Sequence, residues 1–148
     1  MKKQLYTIMA ITLLVGIMSV SGRAQNSAAP HLTTNIPFEF SVGNKTMPAG
    51  EYTVSCINPA SDLKVLRLRA RDGHESVMLR TNSVSRNAPG DAKLVFNRYG
   101  NQYFFAQAWF QADSTGMQAS KSRSEKQIVR ELAANKLSRE VVAIKARR

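Results

Sequence analysis

Apolar and polar residues alternate with a period of two through most of this chain, and each alternating stretch is cut off by a glycine or proline turn. Ile36, Phe38, Phe40 and Val42 fall on one side of the first stretch, with Pro37, Glu39 and Ser41 between them. Successive side chains of a strand point to opposite faces, so this pattern makes a half-buried strand rather than a helix. Pro37 lacks an amide donor, which places the strand at an edge or gives it an irregular start. Gly43-Asn44 tolerates positive φ and predicts a two-residue hairpin into Lys45-Thr46-Met47. Met47-Pro48-Ala49-Gly50 carries Pro at the second and Gly at the fourth position, as a type I turn prefers. It launches a strand over Glu51 to Ile57.

The same reading continues downstream. Leu66, Leu68 and Ala70 alternate with Arg67 and Arg69, Asp72-Gly73 marks a tight turn, and Ser76 to Thr81 returns with Val77 and Leu79 inward. Residues 82–91 are polar and read as a long loop. Lys93–Arg98 and Gln102–Phe110 flank a turn at Tyr99-Gly100-Asn101. Strict alternation in the second of these puts Tyr103, Phe105 and Trp109 on one face, and Phe104 and Phe110 on the other. A strand that is apolar on both faces is central or covered by a helix. The period then changes. Ile128, Val129, Leu132 and Ala133 recur at helical spacing after Ser122-Arg123-Ser124-Glu125, a capping box in which hydroxyl and carboxylate each satisfy an end amide. The helix is expected over about 122–136, and β-branched Val141-Val142-Ala143-Ile144 either closes the domain as a final strand, the preferred reading, or extends the helix. The expected fold is mainly β (α+β): a small antiparallel, barrel-like sheet of about 6–8 strands with one C-terminal amphipathic helix.

The two ends of the chain differ in composition from this middle. Lys2 and Lys3 precede an uncharged run of sixteen residues, Leu5 to Val20, and Gly22-Arg23-Ala24 presents small residues before Gln25. A charged start, an apolar middle and a small-residue exit are the build of a secretory signal peptide cleaved between Ala24 and Gln25. The expected organisation is a signal over 1–24, a flexible leader over 25–34 and one domain over 35–148, exported to the periplasm or secreted, without a membrane span after cleavage. The formal net charge is +11, and loss of Lys2, Lys3 and Arg23 leaves +8. Residues 121–148 hold nine Lys or Arg against three Glu, whereas residues 25–120 hold nine against seven acids. Export removes nucleic acid from reach, so the expected partner is an anionic membrane or cell-wall polymer, met by Lys121, Arg123, Lys126, Arg130 and Lys136. Cys56 is the one cysteine, so no internal disulfide forms; its place beside Tyr52 and Val54 on one strand face makes it a buried structural thiol.

Chemical motifs are sparse. The sequence contains no His-Glu-x-x-His, no cysteine pair for zinc, no Gly-x-Ser-x-Gly elbow and no phosphate-binding glycine loop. His74 stands between Asp72 and Glu75 in a turn, and Glu39 and Glu51 are the best pair of carboxylates for hydrolysis, with two outward strand residues as the simpler reading of each. Tyr99, Tyr103 and Trp109 are the candidates for stacking on sugar rings, with the hydrophobic core as the simpler reading. No cofactor is indicated. Asn35-Ile36-Pro37-Phe38-Glu39-Phe40-Ser41-Val42-Gly43-Asn44-Lys45-Thr46-Met47-Pro48-Ala49-Gly50-Glu51-Tyr52 resembles the opening block of a family of small signal-bearing bacterial proteins of acidobacterial type. Leu94–Gly100 and Lys121–Glu125 resemble later parts of it. The resemblance implies an exported β-rich domain of unassigned role and carries no catalytic residues with it. Together these readings predict a non-enzymatic binding or structural protein, with a carbohydrate-binding module and a carboxylate- or histidine-based hydrolase as the alternatives.

Overall fold

A computed structural model describes residues 30–134 and 138–147. The signal segment and Lys136 lie outside the described residues. Ten strands build the structure: β1 (His31–Ile36), β2 (Phe40–Val42), β3 (Lys45–Met47), β4 (Gly50–Cys56), β5 (Val65–Ala70), β6 (Ser76–Ser85), β7 (Lys93–Tyr99), β8 (Gln102–Trp109), β9 (Thr115–Ala119) and β10 (Glu140–Lys145). The single described helix, α1 (Arg123–Ala134), lies between β9 and β10. The fold is mainly β, as the alternation predicts.

The hydrogen-bonded order runs β1-β4-β5-β6-β9-β8, and the far edge of β8 pairs with β7, which pairs with β10. Strand β8 divides its other edge between β9 at Gln107–Ala108 and β2, which runs parallel to it at Ser41–Phe104. The sheet is therefore mixed rather than purely antiparallel. It curls around one core without closing. An isolated bridge brings its two edges together: Thr33 and Arg147 exchange backbone hydrogen bonds of 2.7 and 2.9 Å, and the Thr34 hydroxyl donates to the Lys145 carbonyl at 2.8 Å.

The core is what the period-two pattern specifies. Leu32, Ile36, Tyr52, Val54, Cys56, Leu66 and Leu68 from one half of the sheet meet Phe40, Val42, Met47, Leu94, Phe96, Phe105, Ala108 and Phe110 from the other. Phe96 receives Phe38, Phe40 and Phe105 edge-on at 5.3 to 5.9 Å, the arrangement that aromatic quadrupoles favour. Tyr52 sits against Phe40 and sends its hydroxyl to the Pro48 carbonyl at 2.7 Å. In the Pro-Ala-Gly-x-Tyr sequence the tyrosine thus pins the turn that precedes its own strand.

Several elements depart from expectation, each for a local reason. The alternation from Ile36 to Val42 is broken at Pro37, so it is shared between the end of β1 and the short β2. Strand β1 also begins at His31, inside the stretch expected as a flexible leader, because Leu32 and Thr34 alternate inward and pair with Val54 and Tyr52. Strand β6 runs on to Ser85 through residues expected as loop: its first half pairs with β5 and its second half with β9. Such mixed polar pairing carries little hydrophobic signature. The strand count rises to ten because the first expected strand is divided into β1 and β2 and because the short β9 was not read from the sequence. The hairpin turns hold as read, with Gly43, Gly73 and Gly100 at φ of 60°, 77° and 60°, and Val141–Ile144 lies within β10.

Candidate functional site

The aromatic strand β8 carries a bulge that rearranges the faces read from its sequence. Val95 pairs with Gln107 and Phe96 with Phe105, so Ala106 is the extra residue. One inserted residue inverts the alternation beyond it. Phe105, Ala108 and Phe110 therefore share the core, while Trp109 turns to the opposite face, where its indole NH donates to the Gln107 amide oxygen at 3.0 Å. The ring packs onto Gly116 of β9, where a β-carbon would stand 2.7 Å from it, and the Arg86 guanidinium covers it at 4.9 Å from the centroid. Tyr103 stacks on Phe38 at 3.8 Å and lies beneath Arg98, and Tyr99 is buried. The three rings proposed for sugar stacking do not share a surface. Tyr99 and Trp109, both about 5% exposed, are occupied by protein partners.

Tyr99 belongs to the most unusual polar arrangement of the structure. Glu125, in the first turn of α1, is 3% exposed and accepts hydrogen bonds from the Asn97 side-chain amide at 2.8 Å and the Tyr99 hydroxyl at 3.1 Å. The Ser122 hydroxyl caps the helix by accepting from the Glu125 amide at 3.1 Å. Half of the expected capping box is thus formed. The carboxylate does not close the other half and reaches across to β7. Burial, the negative charge of Glu125 and the hydrogen bond to it push the Tyr99 hydroxyl up to about 12, with Arg139 pulling the other way. Among the described side chains of α1, Glu125 alone is buried, while Ile128, Val129 and Leu132 are half-buried. The helix is held on the sheet by a polar peg.

That inward turn of Glu125 leaves the outer surface of this region basic. Lys121, Arg123, Lys126 and Arg130 are all exposed, and the ion pairs among described residues (Lys45–Glu75, Arg71–Glu51 and Arg98–Glu140) involve none of them. The remaining acid of the helix, Glu131, accepts from Gln127 at 3.1 Å.

The candidates for acid–base chemistry are scattered. Glu39 is exposed between β1 and β2, beside a depression it shares with Phe38 and Tyr103. Glu51 faces out of β4 and is paired with Arg71. His74 is exposed in the β5–β6 turn, where the Asp72 carboxylate accepts its backbone amide at 3.0 Å and Glu75 pairs with Lys45 at 2.6 Å. The acids beside His74 are thus occupied by other groups. Cys56 is fully buried, as its strand face predicts. Among the described residues, no three His, Cys, Asp or Glu side chains come together as a metal site requires, and no helix is long and apolar enough to cross a membrane. One surface depression, about 200 Å³, lies between His31, Leu32, Ala92, Phe110 and Asp113. The chain matched no family model, no curated protein and no solved structure.

Proposed function

We propose that this chain is an exported, non-enzymatic binding protein that meets an anionic surface through its basic C-terminal segment, Lys121, Arg123, Lys126, Arg130 and Lys136. The observation that carries the reading is the commitment of Glu125 to Asn97 and Tyr99, which withdraws the acid of the first helical turn and leaves four described cations exposed and unneutralised. Because Ser122 caps the helix and Glu125 anchors it, Arg123, Lys126 and Arg130 are displayed on a fixed element, with Lys121 just before it. A cation near an anionic lipid surface contributes about 1 kcal/mol, so four together give useful but salt-sensitive affinity. The signal-like leader and the resemblance of the Asn35–Tyr52 block support the exported address.

The test is binding to an anionic surface, lipid vesicle or acidic polysaccharide, across a salt series. Affinity should fall steeply as the Debye length shortens toward about 8 Å near physiological salt. Replacing Lys121, Arg123, Lys126 and Arg130 with Gln should remove most of that salt dependence. Affinity that is flat with salt, or unchanged in the fourfold variant, rejects the reading.

A further inference from the structure

Four large apolar side chains are exposed among the described residues: Ile57, Leu63, Met78 and Val141, at 45%, 60%, 60% and 58%. Three of the four belong to one end of one sheet face. Strand register puts them there. The Ile57 amide donates to the Val65 carbonyl, Val65 is paired with Arg80, and Arg67 stands between Ser55 on β4 and Met78 on β6. Neighbouring residues of these strands (Cys56, Leu66, Val77 and Leu79) pack toward the core, so Ile57, Val65, Arg67, Met78 and Arg80 all face outward. Leu63 projects from the loop joining β4 to β5. Asn58 fixes that loop, donating to the Leu63 carbonyl at 2.8 Å and accepting from the Val65 amide at 2.6 Å. The loop presents its leucine in one built shape.

The charges on this face are mostly positive, the acids being Asp62 in the loop and Glu51, which is paired with Arg71. Arg67, Arg69 and Arg80 are exposed, and none of the ion pairs among described residues includes them. Arg67, Arg69 and Arg71 line a concavity of about 320 Å³ together with the hydroxyl residues Thr53 and Ser55, and its only acid-paired member is Arg71. Over residues 25–120 nine cations are nearly balanced by seven acids, yet the fold gathers three unpaired arginines beside the exposed apolar tip. The chain also enters the fold at this end. The Pro30 carbonyl, at the start of the described residues, accepts from the Cys56 amide, next to Ile57.

We infer that the outward face of β4, β5 and β6, with the Asn58–Lys64 loop, docks on the surface of a lipid bilayer carrying anionic headgroups. Leu63, Ile57 and Met78 enter the boundary between headgroups and acyl chains, while Arg67, Arg69 and Arg80 meet phosphate oxygens from the flanks. Apolar side chains ringed by cations match that interface, where one layer is greasy and the next is negative. An acidic polysaccharide or a nucleic acid would satisfy the arginines but give Leu63 and Met78 nothing to enter. This face is distinct from the C-terminal cations of the preceding section.

The experiment is co-sedimentation of the purified protein with vesicles of phosphatidylglycerol and phosphatidylcholine, and with phosphatidylcholine alone, using one form of the chain throughout. Three variants are compared: Arg67→Gln/Arg69→Gln/Arg80→Gln, Ile57→Ser/Leu63→Ser/Met78→Ser, and the Lys121/Arg123/Lys126/Arg130→Gln set. Each face variant should weaken binding to the anionic vesicles at least about tenfold. All these positions are exposed, and circular dichroism checks that the fold survives. As a second reading, Met78→Trp should shift its fluorescence to the blue on adding anionic vesicles and not on adding neutral ones. Wild-type binding by both face variants overturns the inference. If the C-terminal set alone loses binding, the inference fails while the proposed function stands; if the face variants alone lose it, the C-terminal reading fails instead. Equal binding to neutral vesicles, binding of the arginine face to a soluble acidic polysaccharide but not to lipid, or a dimer that Met78→Ser dissolves, each refutes it too.

Discussion

Removing the carboxylate of Glu125 should cost far more than the loss of an ordinary helix residue, and it should change the sign of a second substitution. Two buried donors, the Asn97 amide and the Tyr99 hydroxyl, depend on that one oxygen at 2.8 and 3.1 Å. Glu125→Ala strands both of them. A buried polar group left unsatisfied costs about 1–3 kcal/mol, and a first-turn carboxylate contributes about 0.3–1 kcal/mol with the helix dipole. The expected loss is therefore about 2–7 kcal/mol, a large part of the roughly 5–15 kcal/mol that holds a domain together. Tyr99→Phe alone removes a bond to a charged acceptor and should cost about 1.5–3 kcal/mol. Made in the Glu125→Ala background it deletes a hydroxyl that has lost its partner, and should then be neutral or stabilising. The assay is urea unfolding at neutral pH followed by Trp109 fluorescence and far-ultraviolet circular dichroism, arranged as a double-mutant cycle. If the two substitutions add within about 0.5 kcal/mol, Glu125 is not the peg described above.

Three further outcomes follow from the same structure. The Tyr99 hydroxyl is raised from 10.0 to about 12, so the unfolded chain loses this proton first; its stabilisation is whole below pH 10 and is lost as pH rises through 12, a slope that Tyr99→Phe should abolish in alkaline unfolding. Gly100 and Gly116 resist replacement for different reasons. At Gly100, φ is 60° with open space around it, so Gly100→Ala should cost about 1–2 kcal/mol of backbone strain and leave Trp109 emission unchanged. At Gly116 the added carbon would meet the Trp109 ring at 2.7 Å, so Gly116→Ala should cost about 1–3 kcal/mol and alter that emission. Buried Cys56 should react with a thiol reagent only on unfolding; rapid reaction of the native protein would contradict its place in the core.

Much of the fold was legible because burial and strand period coincide. Tyr52, Val54 and Cys56, or Leu66, Leu68 and Ala70, alternate inward as they do in the chain, and Gly43, Gly73 and Gly100 sit at the turns that need them. What the pattern could not show lies where neighbours outweigh period. The bulge at Ala106 is set by pairing with β7, and it alone moves Trp109 to the other face. Strand β9 and the far half of β6 pair with each other through Asn82, Ser83 and Gln118, residues that carry no apolar signal. The capping box was visible as a motif, but local spacing cannot tell a carboxylate that caps from one that crosses to Asn97. The arginine face was hidden for a similar reason: Arg67 and Arg80 are thirteen residues apart in the chain and become diagonal neighbours on adjacent strands only after folding.

The bridge between Thr33 and Arg147 also has a kinetic meaning. It joins the first strand to the residues just after the last one, and the Thr34–Lys145 hydrogen bond spans 111 positions of sequence. Until β10 docks, β1 and β7 each present an unpaired edge, and the seam between them has no thread. Closing the seam therefore waits on contacts of very large sequence separation, which are of the slow kind.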